Sequence, residues 1–141
     1  MLAGVHLVSQ RVPGLRVLIP VASTVPVGMI NSIVQSTQVE AQVIEGQAVE
    51  VVRAADAALV CSGTSTLQTA LLARPMVVVY RVSWLTYAIL KRLVKVAHIA
   101  LVNLIADRRL VPELIQDAFT PDRIEQELLP LLQDRSLRSN L

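Results

Sequence analysis

Short aliphatic runs alternate along this chain with segments of helical spacing. Leu15–Val21, Ala41–Glu45, Ala57–Cys61 and Met76–Tyr80 are brief, aliphatic or β-branched, and bounded by Gly, Pro or polar residues. This is the pattern of strands buried on both faces, and it predicts a strand at each. His98–Leu101 is a candidate for a short fifth. Between them the spacing predicts helices over Leu2–Arg11, Val27–Gln35, Ala48–Ala54, Thr64–Ala73, Ser83–Lys95 and Pro121–Leu132. Pro13-Gly14 stops the first of these, and Pro26 opens the second. The fourth stops at Arg74-Pro75, because proline disfavours the α conformation in the residue before it. Thr120 as N-cap and Pro121 in the first turn open the last. Read as helical, Pro112–Gln116 would place Glu113 and Gln116 on one face at i, i+3. Strands alternating with helices predict an α/β fold: a parallel sheet, flanking helices and right-handed crossovers.

The chain has 141 residues, one domain's worth, and 53% of them are hydrophobic against 3% aromatic, so aliphatic side chains fill the core. A net charge of +2 with no aromatic-interleaved basic cluster argues against a nucleic-acid partner. A single cysteine, Cys61, excludes an intrachain disulfide and a cysteine metal cluster, and fits a reducing compartment. His6 and His98 have no ligand-spaced partner, so no metal is expected. The amino-terminal stretch lacks the basic region of a signal peptide. The longest apolar stretch, Trp84–Ile105, is broken by Lys91, Arg92 and Lys95, which argues against a membrane span.

The run ALVCSGTSTLQTALLARPMVVVYRV, Ala58–Val82, carries the candidate chemistry. An apolar strand stops at Ser62-Gly63-Thr64-Ser65-Thr66, and a helix follows. In open α/β sheets, ligands bind beyond the carboxyl ends of the strands. Gly63 lets backbone approach a ligand, hydroxyls surround it, and the next helix offers free N–H groups and a positive dipole end. A phosphate site and a plain capped helix start both fit these residue types. Neither a Gly-Lys-Ser/Thr loop nor a G-x-G-x-x-G fingerprint is present.

Several motifs then recur in one order: Ser62-Gly63-Thr64 with Thr66-Leu67, Pro75-Met76-Val77-Val78 with Tyr80-Arg81, Arg92-Leu93-Val94-Lys95, Asn103-Leu104, and Pro112-Glu113-Leu114 with Gln116. In that order they resemble the C-terminal half of the lipid-A-disaccharide synthases, densely over residues 50–133 and more loosely before. The resemblance implies a Rossmann-like C-terminal domain of a GT-B type glycosyltransferase. Residues 1–141 would form one nucleotide-sugar-binding domain, without the family's first nucleotide loop, its Gly-Ser-Arg segment and its N-terminal catalytic domain. It implies a reaction joining a UDP-diacylglucosamine donor to the 6-hydroxyl of an acylated glucosamine phosphate acceptor, releasing UDP. No cofactor is implied. The implied location is cytoplasmic, peripheral to the inner membrane, and the implied partners are the missing N-terminal half or a second copy.

Carried over onto these positions, the substrate-binding residues are Ser62, Gly63, Thr64, Ser65, Gln68, Tyr80, Arg81, Asn103, Glu113 and Gln116. The catalytic carboxylate is expected in the N-terminal domain. Three positions depart from the family pattern: Gln68 replaces a glutamate, Val102 a proline, and Asp107 a glycine. From residue type alone, Arg81 suits either a phosphate or an ion pair with Asp107 or Glu113. Trp84, Tyr87, Leu90, Leu93 and Val94 recur at helical spacing beside Lys91, Arg92 and Lys95, fitting either a core-facing helix or an anionic membrane surface. Cys61 reads as a small core residue and His98 as a packed histidine. Two other readings stay open: a stand-alone nucleotide-binding or interaction module without catalysis, and a fragment with exposed core surface.

Overall fold

The structure is a computed structural model that describes residues 1–83 and 98–134. Its strands are β1 (Val17–Val21), β2 (Ala41–Glu45), β3 (Ala58–Cys61), β4 (Met76–Tyr80) and β5 (Glu113–Ile115). Its described helices are α1 (Leu2–Arg11), α2 (Val27–Gln35), α3 (Ala48–Ala54), α4 (Thr64–Leu71), α5 (Leu101–Ala106) and α6 (Pro121–Gln133), with a 3-10 turn at Gln116–Ala118. Every strand pairing is parallel: β1 with β2, and β3–β4–β5 with β4 in the middle. The expected α/β architecture with flanking helices forms, its parallel strands lying in two sheets of two and three strands where one sheet was expected.

The continuous aliphatic run of β4 has a direct cause. Its alternate residues serve two cores. Val77 and Val79 meet Val8 of α1, Leu114 of β5, and Ile124 and Leu128 of α6. Met76 and Val78 face the other way, toward Val60, Ala100, Val102 and Val111, with Leu67 and Ala70 of α4 against them. Helices α1 and α6 thus cover one face of this sheet, and α4 and α5 the other. Gly4 permits the close approach of α1 to α6, since a Cβ there would lie 2.6 Å from Ile124 Cβ.

Two expectations of the sequence are corrected. His98–Leu101 is not a strand: residues 98–100 form a bend, and helix α5 starts at Leu101. Pro112–Gln116 is not a helix but strand β5 running into the 3-10 turn. The residues fit both periods. A helix would gather Val111, Leu114 and Ile115 on one stripe, whereas the strand splits Val111 and Leu114 between the two cores. A docking edge on β4 decides for the strand, with Val78 N donating to Pro112 O at 2.9 Å. The expected helix over Ser83–Lys95 falls, from residue 84 on, outside the described residues.

Both α4 and α5 end in a left-handed residue. Ala73 (φ 49°) and Asp107 (φ 49°) take that role. Arg74 N then reaches back to Thr69 O at 3.2 Å, and Arg108 N to Asn103 O at 3.3 Å, closing each helix with the six-to-one bond of a Schellman end. Asp107 therefore stands where a glycine fits best.

Candidate functional site

Strands β3 and β4 end together, with Cys61 level with Val79. The Ser62–Thr66 turn and Tyr80-Arg81 therefore emerge side by side at the carboxyl edge of the sheet. Ser62 extends the ladder by one bond, its N–H donating to Val79 O at 3.0 Å. Gly63 follows with φ 145° and ψ −163°, a region essentially restricted to glycine. It is the N-cap of α4 and brings no side chain to bond the first N–H groups. The deeper hydroxyls turn inward: Thr66 Oγ1 donates to Gly63 O at 2.7 Å, and Thr69 Oγ1 to Ser65 O at 2.8 Å. Thr64, Ser65 and Gln68 stay exposed. What faces outward is a helix start with hydroxyls, an open backbone and the positive end of the peptide dipoles.

The amino-terminal end of α1 reaches the same edge. Cys61 Sγ lies 3.8 Å from Met1 Sδ. Burial pushes the Met1 amine below its ordinary pKa; nearby Cys61 opposes this shift and the Arg81 charge adds to it. Cys61 is exposed, not the core residue its type suggested, because it is the last strand position and points off the end of the sheet.

The remaining site residues form a hydrogen-bonded wall beside the turn. Asn103 is fully buried and uses its whole amide within the protein. Its Oδ1 accepts from Leu110 N at 2.8 Å and Val111 N at 2.9 Å. Its Nδ2 donates to Val111 O at 2.9 Å and to Glu113 Oε1 at 2.6 Å. The other oxygen of Glu113 accepts from Ile99 N at 2.9 Å. His98 Nδ1 lies 3.8 Å from Glu113 Oε1. The carbonyl of Ile99 in turn accepts from the Ser62 hydroxyl at 3.3 Å. One chain of contacts thus runs from Asn103 through Glu113 and the Ile99 backbone to Ser62.

Gln116 clamps the other side. Its Oε1 accepts from Val82 N at 2.8 Å, and its Nε2 donates to Val82 O at 3.1 Å. Arg81 pairs with neither Asp107 nor Glu113. Its Nη2 donates to Gln116 O at 3.2 Å and Phe119 O at 3.0 Å, and its guanidinium lies 5.1 Å from the Phe119 ring centroid. Tyr80 is half-buried at the end of β4.

Sequence reasoning missed Ile99, whose backbone joins the wall to the turn, and Val82, which Gln116 holds. Backbone groups leave no residue-type signal. It counted the Thr66 hydroxyl among those around the turn, whereas Thr66 is buried at 0% exposure, and it missed Thr69, buried at 2%. Their i, i+3 spacing on an otherwise aliphatic face is the signal that would have found them.

The family described as lipid-A-disaccharide synthetase matches residues 1–140 of this chain. A lipid-A-disaccharide synthase of Anaeromyxobacter sp. (strain K) is 46% identical over 127 residues, covering 89% of this chain and 33% of that protein. One from Pseudomonas aeruginosa (strain LESB58) is 50% identical over 125 residues, covering 88% and 33%. One from Myxococcus xanthus is 48% identical over 120 residues, covering 85% and 31%. The chain therefore spans about a third of the length of these curated relatives.

Proposed function

The chain belongs to the lipid-A-disaccharide synthetase family, and from that membership we propose that residues 1–141 form the nucleotide-sugar-binding unit of a glycosyltransferase of lipid A synthesis. The reaction joins UDP-diacylglucosamine to the 6-hydroxyl of diacylglucosamine 1-phosphate and releases UDP. The observation that carries this reading is the start of α4: a glycine-only backbone at Gly63, no side-chain cap, and exposed Thr64 and Ser65 at the carboxyl edge of a parallel sheet. A diphosphate there accepts hydrogen bonds from backbone N–H groups and hydroxyls. Arg81, exposed on the adjacent strand end, supplies positive charge. Gln68 stands one turn further, sharing a face with Thr64, and reaches toward a ribose or sugar hydroxyl. Tyr80, Asn103, Glu113 and Gln116 shape the wall of the site.

Inverting transfer needs a base for the acceptor proton. Both oxygens of Glu113 already accept hydrogen bonds from protein N–H groups, so this acid is poorly placed for the task. The resemblance assigns that role to a carboxylate outside this unit, in an N-terminal domain. The acylated acceptor and the donor's lipid chains place the reaction at the inner-membrane surface, with the protein on its cytoplasmic side. No described helix is long and apolar enough to cross a membrane.

Calorimetric titration with UDP tests the nucleotide assignment. Expected is a dissociation constant in roughly the millimolar range, weakened by Thr64→Val. Tight UDP binding that ignores both Thr64→Val and Gly63→Val would place the nucleotide elsewhere.

A further inference from the structure

We infer that Glu113 is a positioning residue for the Ser62 turn, acting through the backbone of Ile99 and not through contact with a sugar. This rests on the nucleotide reading above and assigns a role within it. The geometry is specific. The carboxylate is 9% exposed and spans two partners, Ile99 N at 2.9 Å and Asn103 Nδ2 at 2.6 Å. On the far side of the same residue, the Ile99 carbonyl takes the Ser62 hydroxyl at 3.3 Å. Ser62 is also bonded through its own N–H to Val79 O, so its position follows from two bonds: one to β4 and one to the 98–100 bend. Glu113 lies within β5, level with Val78, which fixes its backbone. It therefore transmits the register of a rigid strand to a loop that borders the helix start.

An acid suits this place better than its amide. Both facing groups are N–H donors, and a carboxylate accepts from both. In Glu113→Gln one acceptor becomes an NH2 group, which faces either the Ile99 N–H or the Asn103 amide, donor against donor. The Ile99 backbone is then released on its N–H side, and the Ser62 hydroxyl loses a fixed acceptor on its carbonyl side. The ligand site suffers although no ligand group touched Glu113.

The test uses the full chain with Glu113→Gln, Ser62→Ala and the double variant. The first readout needs no ligand: backbone amide chemical shifts. Glu113→Gln is expected to move the amide signals of Ser62, Gly63 and Thr64 as well as those of Ile99 and Asn103. Ser62→Ala is expected to move Ile99. Changes confined to residues 98–103 and 110–113 in Glu113→Gln, with Ile99 unmoved in Ser62→Ala, overturn the proposal. The second readout is affinity for UDP and for UDP-N-acetylglucosamine. A positioning role lowers both equally, by about five- to tenfold, and Ser62→Ala adds little in the Glu113→Gln background. A loss seen only with the sugar-bearing ligand makes Glu113 a direct sugar contact and refutes the proposal. Failure of the unaltered chain to bind either ligand refutes the nucleotide reading, while the amide shifts still decide the role of Glu113. If Glu113→Gln does not fold, Ser62→Ala alone carries the shift test from the other end of the chain of contacts.

Discussion

Gly63 holds φ 145° and ψ −163° with open space where a Cβ would stand. A Cβ there meets backbone strain and no clash. Gly63→Ala is expected to lower stability by about 1–3 kcal/mol, measured by urea unfolding, and to reset the first turn of α4. Asn103 carries a different risk. Asn103→Ala removes four hydrogen bonds at once and strips the buried Val111 N–H and carbonyl of their Asn103 partners, while Leu110 N keeps Arg108 O at 3.0 Å and Glu113 Oε1 keeps His98 Nδ1 at 3.8 Å. A loss on the order of 3 kcal/mol or more is expected in the same assay. Gln68 is exposed, so changing it leaves the fold alone. Gln68→Glu is expected to strengthen donor binding by about 1 kcal/mol, the difference between a charged and a neutral hydrogen bond. Unchanged donor affinity would strike Gln68 from the site. Residue type marked Ser62-Gly63-Thr64 in the sequence as a hydroxyl-rich helix start after a strand, and that turn is where the structure puts it, at the carboxyl edge of the sheet. Residue type could not show what Asn103 and Glu113 bind, since their partners are mostly backbone groups several residues away.

At the scale of elements, the helix ends make the sharpest comparison. Ala73 and Asp107 both sit at φ 49° as the residue that closes a helix. The left-handed conformation is costlier for alanine than for aspartate. Ala73→Gly and Asp107→Gly should each raise stability, by up to about 1 kcal/mol, with Ala73→Gly gaining more; differential scanning calorimetry reads both. The α1–α6 contact is tight in the opposite sense. Gly4→Ala is expected to cost about 1–3 kcal/mol by overpacking against Ile124, and Ile124→Ala in the same chain should recover part of that loss. The first four strands were legible as short aliphatic runs between turn residues, but the expected burial on both faces holds for β4 alone: β1 buries only Val21, and β2 exposes Gln42 and Glu45 and buries no residue fully. Strand β5 was not legible. Three residues, Glu113–Ile115, are too few for a period to show, and the pairing that makes them a strand comes from β4.

At the scale of the whole molecule, two layers of helices hold a β3–β4–β5 sheet whose carboxyl edge gathers the starts of α1 and α4, the Arg81 guanidinium and the Ser62 turn. The alternation of strands and helices made this architecture readable. The convergence of α1 on that edge was not readable, because it depends on packing between Val8 and Ile124, far apart in sequence. The chain spans about a third of its relatives, and we expect the purified chain alone to give no disaccharide from UDP-diacylglucosamine above a denatured control. The central claim is that a nucleotide diphosphate rests on the start of α4. An amide chemical-shift titration with UDP, run beside uridine, tests it most directly. The account predicts that UDP moves the signals of Gly63, Thr64 and Ser65 saturably, with half-saturation in roughly the millimolar range, while uridine leaves them in place. UDP shifting other residues but not these three, or uridine moving them equally, would contradict it.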